Sequence, residues 1–560
     1  MALSKRLCYS LIILFFVAIV IIIPTVILLR NSGCEEGFVN GAVAADSEIC
    51  SNIGRDILKQ GGSAVDGAIA ALLCTSVIHP QSMGLGGGVI FTIYDASTRT
   101  VEVINARETV PREFPPNLLQ QCATKKFFEP AAQWIGVPGE LRGYEAAHKK
   151  YGRLPWKALF QPTIRLVTNG VNVSNVLVKY LNVAAKQIND SSLRVLFCND
   201  GKVLKAGNPV NFTQLAHTLQ TVADEGIDSF YSGSIAKKMI EDLRRQDSTL
   251  TLEDLKNYKA QIVRPLNVSL GNYMLYTPPP PAGGALLSFI LNILEGYNFD
   301  KRSMQNVPDQ IETYHHIVEA LKFANGHRSK LTASVTSANI EKFTDTFFSK
   351  TYAKEIRNKI DEFGNHDLQF YNLSAPINSE TFGTSHLSVI SKDGSSVSAT
   401  SSINHIFGSM IYSPSTGIIF NNQLADFCSI PMVSLKEGMQ PPSSMTPTIL
   451  LSKDKTSQLV IGGSGGFRII SATVQAIVNK LWFGFNIKEA IAAPVFHVQP
   501  DNSLNFEPSF NLAIQTGLRE KRHNISKALF SLNVVQGISQ EKDCLLPYSD
   551  TRKEGKAAGY

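Results

Sequence analysis

The chain has 560 residues, of which 44% are hydrophobic and 18% charged, a balance typical of a globular protein with a large core. Its formal net charge is +6, and the sequence contains neither a long basic run nor a basic stripe interleaved with aromatic residues. Nucleic acid is therefore not an implied partner. Length allows roughly three or four domains, although large α/β enzymes often exceed that size as one unit.

An apolar segment at the N-terminus predicts attachment to a membrane. Residues 7–29 (LCYSLIILFFVAIVIIIPTVILL) carry no charge and can cross a hydrocarbon layer about 30 Å thick. A cleaved signal peptide is the alternative, but such peptides usually have a shorter apolar core and a small-residue cleavage site. Lys5 and Arg6 precede the segment. We therefore expect a signal anchor, with residues 1–6 in the cytoplasm and the remaining chain extracellular, as in a single-pass type II protein of the cell membrane.

The sequons and the cysteines agree with an extracellular location. Chance alone supplies several N-x-S/T sequons in a chain of this length, so they are weak support. The six predicted glycosylation sites are Asn172, Asn189, Asn211, Asn267, Asn372 and Asn524. None of the eight cysteines forms a C-x-x-C pair or a zinc-like spacing. We predict no metal site, and we expect some cysteines to pair as disulfides whose connectivity stays open.

The first two thirds of the chain mix helical and strand patterns. Residues 47–78 read as helix with a break at 61–63, and the glycine-rich residues 80–88 are unsuited to a helix interior. Two β-rich runs, 89–95 and 101–107, predict a hairpin. Residues 134–330 alternate helical patterns with loops; 277–284 form a stiff proline-rich turn, and 312–323 have apolar residues at helical spacing.

The character of the chain changes near residue 384. Residues 361–381 are polar and rich in turn formers, which predicts an exposed linker. The runs HLSVI, SKDG and SSVSATSSI that follow predict a strand, a turn and a second strand. Residues 458–461 read as a short strand before GGSGG, and 467–483 as a helix. Strand-rich segments with helical stretches on either side predict stacked sheets covered by helices.

Common catalytic motifs are missing from the sequence. It contains no G-x-x-x-x-G-K-[ST] loop and no H-E-x-x-H helix. His315 and His316 are adjacent on a predicted helix and would face different directions. A structural role is the better interpretation of this pair.

Small polar residues supply the remaining candidates. At a newly formed N-terminus, Thr384 could attack a carbonyl with its own α-amino group as the base, although it could equally be an ordinary threonine that starts a strand. Gly383 before it permits the backbone distortion that an N-to-O acyl shift requires. The N–H groups of GGSGG (462–466) could hold an oxyanion, or form a plain turn. Arg107 could bind a carboxylate, or make a surface salt bridge.

These pieces occur together in one known family. The chain closely resembles the γ-glutamyltransferases, also called glutathione hydrolases, and most of all the animal leukotriene-C4-hydrolysing type. The matching motifs are PQSMGLGGG, NARETVP, GVPGELRGY, GRLPW, PPPPAGG, GTSHLSV, SATSSIN, SPSTGIIFNN, PSSM, GGSGG and GKAAGY. The resemblance implies an α+β fold of the N-terminal-nucleophile hydrolase type, a four-layer αββα sandwich, here preceded by one transmembrane helix. It also implies autocleavage between Gly383 and Thr384. Residues 30–383 would form the large subunit and 384–560 the small one, associated non-covalently as a heterodimer.

The resemblance assigns roles residue by residue. Thr384 matches the nucleophile, and Ser402 stands where the family usually has threonine. The remaining matches are Gly465 and Gly466 for the oxyanion hole, Asn404, Gln423 and Asp426 for the substrate α-amino group, Arg107, Ser443 and Ser444 for the α-carboxylate, and Cys50–Cys74 for a disulfide. Gln423 replaces the glutamate of many animal members, and this loss of charge could weaken donor binding.

The implied reaction transfers a γ-glutamyl group without a metal or an organic cofactor. Glutathione, its S-conjugates and leukotriene C4, which would become leukotriene D4, are the implied donors, and a γ-glutamyl ester on Thr384 is the intermediate. Water, an amino acid or a dipeptide would then accept the group. Two alternatives stay open: a catalytically inactive relative that serves as a surface interaction protein, and an amidase of the same fold. An amidase for apolar acyl groups would have no need of Arg107 and Asp426.

Overall fold

Two stacked β-sheets organise this protein, for which the computed structural model describes Cys34 and residues 37–123, 129–333, 345–373, 383–430, 433–527 and 533–560. The predicted cytoplasmic tail (1–6) and signal anchor (7–29) lie outside these residues. Within them, no helix is both long enough and apolar enough to cross a membrane.

Thirteen strands form the two sheets, and all their pairings are antiparallel. In chain order they are β1 (Ala42–Ala44), β2 (Gly88–Asp95), β3 (Thr100–Ala106), β4 (Gln261–Val263), β5 (Leu266–Leu270), β6 (Tyr273–Thr277), β7 (Gly383–Ile390), β8 (Ser396–Asn404), β9 (Thr448–Ser452), β10 (Ser457–Ser464), β11 (Val534–Glu541), β12 (Cys544–Ser549) and β13 (Ala558–Gly559). The seven-stranded sheet has the order β13-β1-β7-β8-β2-β3-β4, and the six-stranded sheet the order β12-β11-β10-β9-β6-β5. Strand β7 is thus central in the first sheet.

Small residues let the two sheets approach each other closely. The Ser398 hydroxyl of β8 donates to the Ile461 carbonyl of β10 at 3.0 Å. A Cβ atom at Gly462 would lie 2.4 Å from Cε1 of His386 on β7, so only glycine fits at this position. Every residue of β7 and β8 is buried. The hairpin that carries Thr384 therefore lies inside the sandwich.

Helices cover the outer face of each sheet. They are α1 (Glu48–Lys59), α2 (Ala64–Ile78), α3 (Glu140–Tyr151), α4 (Trp156–Thr168), α5 (Asn175–Val183), α6 (Thr213–Glu225), α7 (Ser234–Arg244), α8 (Gly284–Glu295), α9 (Val307–Ala333), α10 (Lys350–Lys359), α11 (Ile469–Leu481), α12 (Ile487–Ala492) and α13 (Leu512–Glu520). Helix α2 packs on β7 and β8, and α3 on β2 and β3. On the other side, α11 packs on β10 and β11, and α8 packs on α11. This order of layers is the predicted αββα sandwich.

Several local predictions are confirmed and others are wrong. The helix break at 61–63 is present because Ser63 caps α2, and the first predicted hairpin is β2–β3. The strand before GGSGG is longer than predicted and runs to Ser464. The exposed linker is confirmed only in part for residues 361–373: six of them are exposed, but Tyr371 is fully buried and bonds Glu319. Residues 374–382 lie outside the described part. His315 bonds His523 and the Asp361 carbonyl, as a structural role requires.

Three disulfides join six of the described cysteines, and Cys198 is free. The predicted pair Cys50–Cys74 is confirmed and links α1 to α2. The other two are Cys34–Cys544 and Cys122–Cys428. Both cross the predicted cleavage position, so the expectation of a purely non-covalent association is wrong: a chain cut before residue 384 would stay covalently joined.

The six sequon asparagines all have exposed side chains. Surface exposure is the condition for attaching a bulky sugar. Glycosylation at these positions stays a prediction.

Candidate active site

Thr384 lies at the start of β7 and is 4% exposed. Its Oγ is 3.2 Å from the hydroxyl of Ser402, which lies opposite it on β8. The Ser402 hydroxyl donates to the carbonyl oxygen of Gly383 at 2.6 Å and accepts the N–H of Asn404 at 2.8 Å. Because a hydroxyl has one proton to donate, the proton shared by the two hydroxyls is that of Thr384. Ser402 thus connects the threonine hydroxyl to the carbonyl of the preceding peptide bond.

The peptide bond between Gly383 and Thr384 is tightly enclosed. A Cβ at Gly383 would lie 2.4 Å from the carbonyl oxygen of His405 and 2.7 Å from that of Asn404. The pairing of β7 with β8 is also irregular between Gly383 and Thr384. A glycine is needed here because neighbouring backbone fills the space where any side chain would begin.

A buried lysine from the C-terminal region holds the other side of Thr384. Lys553 Nζ donates to the Thr384 carbonyl at 3.0 Å and to Asp46 at 2.6 Å. Gln536, which pairs with Gly462 of β10, donates to the same carboxyl group. Burial opposes ionisation of Asp46, but Lys553 and His79 hold the pKa of this carboxyl below its usual value. A continuous series of hydrogen bonds therefore runs from Thr384 in the first sheet to Gln536 in the second.

Arg107, just past the end of β3, forms the second half of the site. The residue is 1% exposed, and its Nη2 bonds Asp426 Oδ2 at 2.7 Å. The same guanidinium donates to the carbonyls of Pro441 and Pro442, immediately before Ser443. Gln423 Nε2 donates to Asp426 at 2.8 Å, whereas its buried Oε1 accepts no hydrogen bond from the described residues.

Glu108 lies beside this pair and is fully buried. One of its oxygens is 3.6 Å from Arg107 Nη1, and neither accepts a hydrogen bond within the described residues. Burial raises the pKa of Glu108 to about 7, although Arg107 opposes this rise. The charge next to Arg107 thus changes near neutral pH.

Asparagines connect the two halves of the site. Asn404 Nδ2 donates to the Asn422 carbonyl at 3.0 Å, and Asn404 itself has a left-handed backbone with φ of 75°. Asn421 accepts the backbone N–H of Gln423 at 2.9 Å. The segment with Gln423 and Asp426 is thereby fixed against the strand that carries Ser402.

The two serines and the glycine pair complete the predicted set of site residues. Ser443 Oγ accepts the N–H of Met445 at 3.1 Å, and Ser444 Oγ accepts a bond from Arg328 at 2.6 Å. Gly465 and Gly466 follow β10 with φ of 126° and 63°, conformations that other residues rarely adopt. The next residue, Phe467, receives a long bond from Arg328 at 3.4 Å.

The structure brings most predicted site residues into one network. Thr384 and the Asn404 N–H both bond the Ser402 hydroxyl, and Arg107 and Gln423 both bond Asp426. Ser443, Ser444 and the glycine pair are linked through neighbouring backbone and Arg328. Sequence reasoning missed Lys553, Asp46, Glu108 and Arg328. Lys553 lies two residues before the GKAAGY motif, but nothing in the sequence connects it to Thr384. In the described part of the chain, no group of three or more metal-binding side chains is suited to hold a metal ion.

Comparison with known proteins agrees with this geometry. The family model for Gamma-glutamyltranspeptidase matches residues 50–560. The chain is 49% identical over 552 residues to Glutathione hydrolase 5 proenzyme of Rattus norvegicus, with 97% of this chain and 96% of that protein covered. It is 48% identical to the Homo sapiens protein of the same name, with 96% of each covered. Cephalosporin acylase from Bacillus halodurans has the same fold, with a TM-score of 0.82, 25% identity, and coverage of 94% and 96%.

Proposed function

The chain belongs to the gamma-glutamyltranspeptidase family, and we propose that it cleaves γ-glutamyl amides with Thr384 as the nucleophile. One observation carries the proposal: Ser402 bonds both the Thr384 hydroxyl and the carbonyl of Gly383. This contact holds the Thr384 hydroxyl close to the peptide bond whose cleavage would make Thr384 an N-terminal residue. The names of the relatives, which include both glutathione hydrolase and proenzyme, support the same reading.

The first reaction is maturation of the chain. Thr384 Oγ adds to the Gly383 carbonyl carbon while Ser402 donates to the oxygen, and the developing negative charge is stabilised. The C–N bond then breaks, the nitrogen takes the proton from Oγ, and an ester replaces the peptide bond. Water hydrolyses the ester and leaves a carboxylate on Gly383. Thr384 is then the N-terminal residue of a small subunit, 384–560, and its free amine can act as the base.

The second reaction uses the same hydroxyl on a donor. The far end of a γ-glutamyl group is a zwitterionic amino acid, which needs both a cation and an anion. Arg107 with Ser443 and Ser444 suits the α-carboxylate. Asp426, with the Asn404 and Gln423 amides, suits the α-ammonium group.

Catalysis then follows from this alignment. The γ-carbonyl lies between Thr384 Oγ and the N–H groups at Gly465 and Gly466, which stabilise the oxyanion. Attack forms a γ-glutamyl ester on Thr384, and the leaving amine takes the proton. Water releases glutamate; an amino acid or a dipeptide takes the γ-glutamyl group in transpeptidation.

We further propose an extracellular enzyme anchored by residues 7–29, with glutathione, its S-conjugates and leukotriene C4 as donors. The disulfides and the exposed sequons support an oxidising, extracytoplasmic location. The motifs shared with the leukotriene-C4-hydrolysing type support leukotriene C4, which would yield leukotriene D4.

Thr384→Ala tests the proposal directly. Wild-type chain should separate into two subunits on a reducing denaturing gel, with the smaller beginning at Thr384. The variant should stay uncut and release no glutamate from glutathione. Cleaved wild-type protein that acts on no γ-glutamyl donor would instead favour an inactive surface protein. A strong preference for glutathione over leukotriene C4 would contradict only the leukotriene assignment.

A further inference from the structure

Arg328 of α9 is not among the site residues that the sequence predicted. It contacts Ser444, one of the residues proposed to bind the substrate α-carboxylate. Its Nη1 donates to Ser444 Oγ at 2.6 Å and its Nη2 to the Phe467 carbonyl at 3.4 Å. We propose that Arg328 is a positioning residue that makes Ser444 a hydrogen-bond donor to the α-carboxylate, and so sets specificity for donors that carry this group. The inference rests on the proposed function.

The direction of the bond between Arg328 and Ser444 is unambiguous. A guanidinium has only donors, so the serine oxygen must accept and its own proton must point elsewhere. Ser443 is oriented in the same way by the N–H of Met445. Both hydroxyls can therefore donate to an anion. Without Arg328, the Ser444 hydroxyl could rotate and present its oxygen to the carboxylate, which would repel it.

The charges around Arg107 show why a second cation is needed. Arg107 already faces Asp426 at 2.7 Å and Glu108 at 3.6 Å, so its charge is largely matched before a donor arrives. A bound substrate carboxylate would add another negative charge beside Arg107. Arg328 supplies a second positive charge close by, because its guanidinium bonds Ser444 directly.

The surroundings strengthen this effect. Arg328 lines a narrow pocket with Leu286, Ile290, Leu321 and Ile470, where the low dielectric increases electrostatic interactions. Arg328 is partly buried, and this burial lowers the pKa of its guanidinium, which remains charged at neutral pH. Among cationic side chains, arginine suits the position because its planar fork bonds both Ser444 and the Phe467 carbonyl.

Three anilides separate the possible roles: γ-glutamyl, 4-aminobutyryl, which lacks the α-carboxylate, and glutaryl, which lacks the α-amino group. Arg328→Met should reduce the preference for γ-glutamyl over 4-aminobutyryl by about 10- to 100-fold, the cost of one charge-assisted hydrogen bond. The change should fall mainly on KM. The preference for γ-glutamyl over glutaryl should stay unchanged, and Arg328→Lys should recover part of the loss.

A double-mutant cycle tests whether Arg328 changes donor preference through Ser444. If Arg328 acts through Ser444, then Arg328→Met should change this preference by less than about threefold in a Ser444→Ala background. Arg357→Met is the matched control, because that arginine bonds the Ile293 carbonyl at 3.0 Å, away from the site; it should not alter donor preference.

An equal loss with all three donors, or additive effects in the cycle, would overturn the inference. So would an unchanged preference in both Arg328 variants. Reducing gels and thermal melts show whether each variant matures and folds. If the Met variant does not fold, the Lys variant decides, and an unchanged preference there overturns the inference. Inactivity of cleaved wild-type protein toward γ-glutamyl anilide would instead refute the proposed function, which keeps the two failures distinct.

Discussion

Ser402 offers the sharpest test of how this chain cuts itself. Its hydroxyl makes all three bonds available to it: one to the Gly383 carbonyl, one from Thr384 and one from the Asn404 N–H. Ser402→Ala removes the donor to the carbonyl that becomes an oxyanion in the proposed maturation. The threonine hydroxyl and the Asn404 N–H lose their acceptor at the same time.

The expected size of the effect follows from the geometry. The bond to the Gly383 carbonyl is 2.6 Å long, at the short end of the normal range for two oxygens. Removing one such donor from an oxyanion site slows a reaction about 10²- to 10³-fold, or about 2.7–4 kcal/mol. We therefore expect Ser402→Ala to mature at least about 100-fold more slowly. Ser402→Thr keeps the hydroxyl and should mature within about tenfold of wild type.

Pulse-labelled full-length chain, sampled over time on reducing gels, measures maturation directly. Ser401→Ala is the matched control, because Ser401 is the preceding residue of β8 and its buried hydroxyl bonds Glu140 instead. It should mature at nearly the wild-type rate. Maturation of Ser402→Ala at the wild-type rate would refute the reasoning. An equal delay in both alanine variants would assign the effect to strand packing rather than to the carbonyl contact.

Two further predictions concern the subunits and pH. Two disulfides cross residue 383. Mature protein should therefore run as one species near 61.3 kDa plus sugar without reductant, and as two species with it. Separation without reductant would contradict the connectivity. The pKa of Glu108 is raised to about 7 from an ordinary value of 4.5, so the folded state holds a proton that the unfolded state has lost. Stability should therefore fall by about 3 kcal/mol as pH rises from about 4.5 to 7. Glu108→Gln should remove this component from urea melts measured across that range, and an unchanged slope would show that Glu108 titrates normally.

Local patterns predicted the central hairpin well. The β7–β8 pairing follows from alternating residues around the turn SKDG, and it places Ser402 opposite Thr384. Register is strongly specified in such a hairpin because a shift of one residue would turn each side chain to the opposite face. The register of this hairpin was therefore accessible from local sequence patterns, whereas the roles proposed for Thr384 and Ser402 came from the family resemblance.

Contacts between distant segments could not be predicted from local sequence patterns. Lys553 bonds the Thr384 carbonyl from 169 positions later in the chain, and no periodic pattern encodes that approach. Tyr371 looked like part of a polar linker, but it donates to the buried carboxylate of Glu319. Arg328 lies on a helix that was recognised only from its apolar positions. Such contacts depend on how whole layers stack, which short sequence windows do not contain.

The sequence suggested that the missing charge at Gln423 could weaken donor binding, but the contacts of Gln423 suit the charges of the proposed donor site. Its Nε2 donates to Asp426, and its Oε1 still accepts no bond from the described residues. A glutamate here would place a second carboxylate against Asp426, and their repulsion would raise the pKa of one of them. The amide instead supports the charge of Asp426, which also bonds Arg107. In the proposed donor complex, an α-ammonium group would meet one carboxylate and one neutral acceptor, so we expect the glutamine to change the strength of donor binding rather than the type of donor.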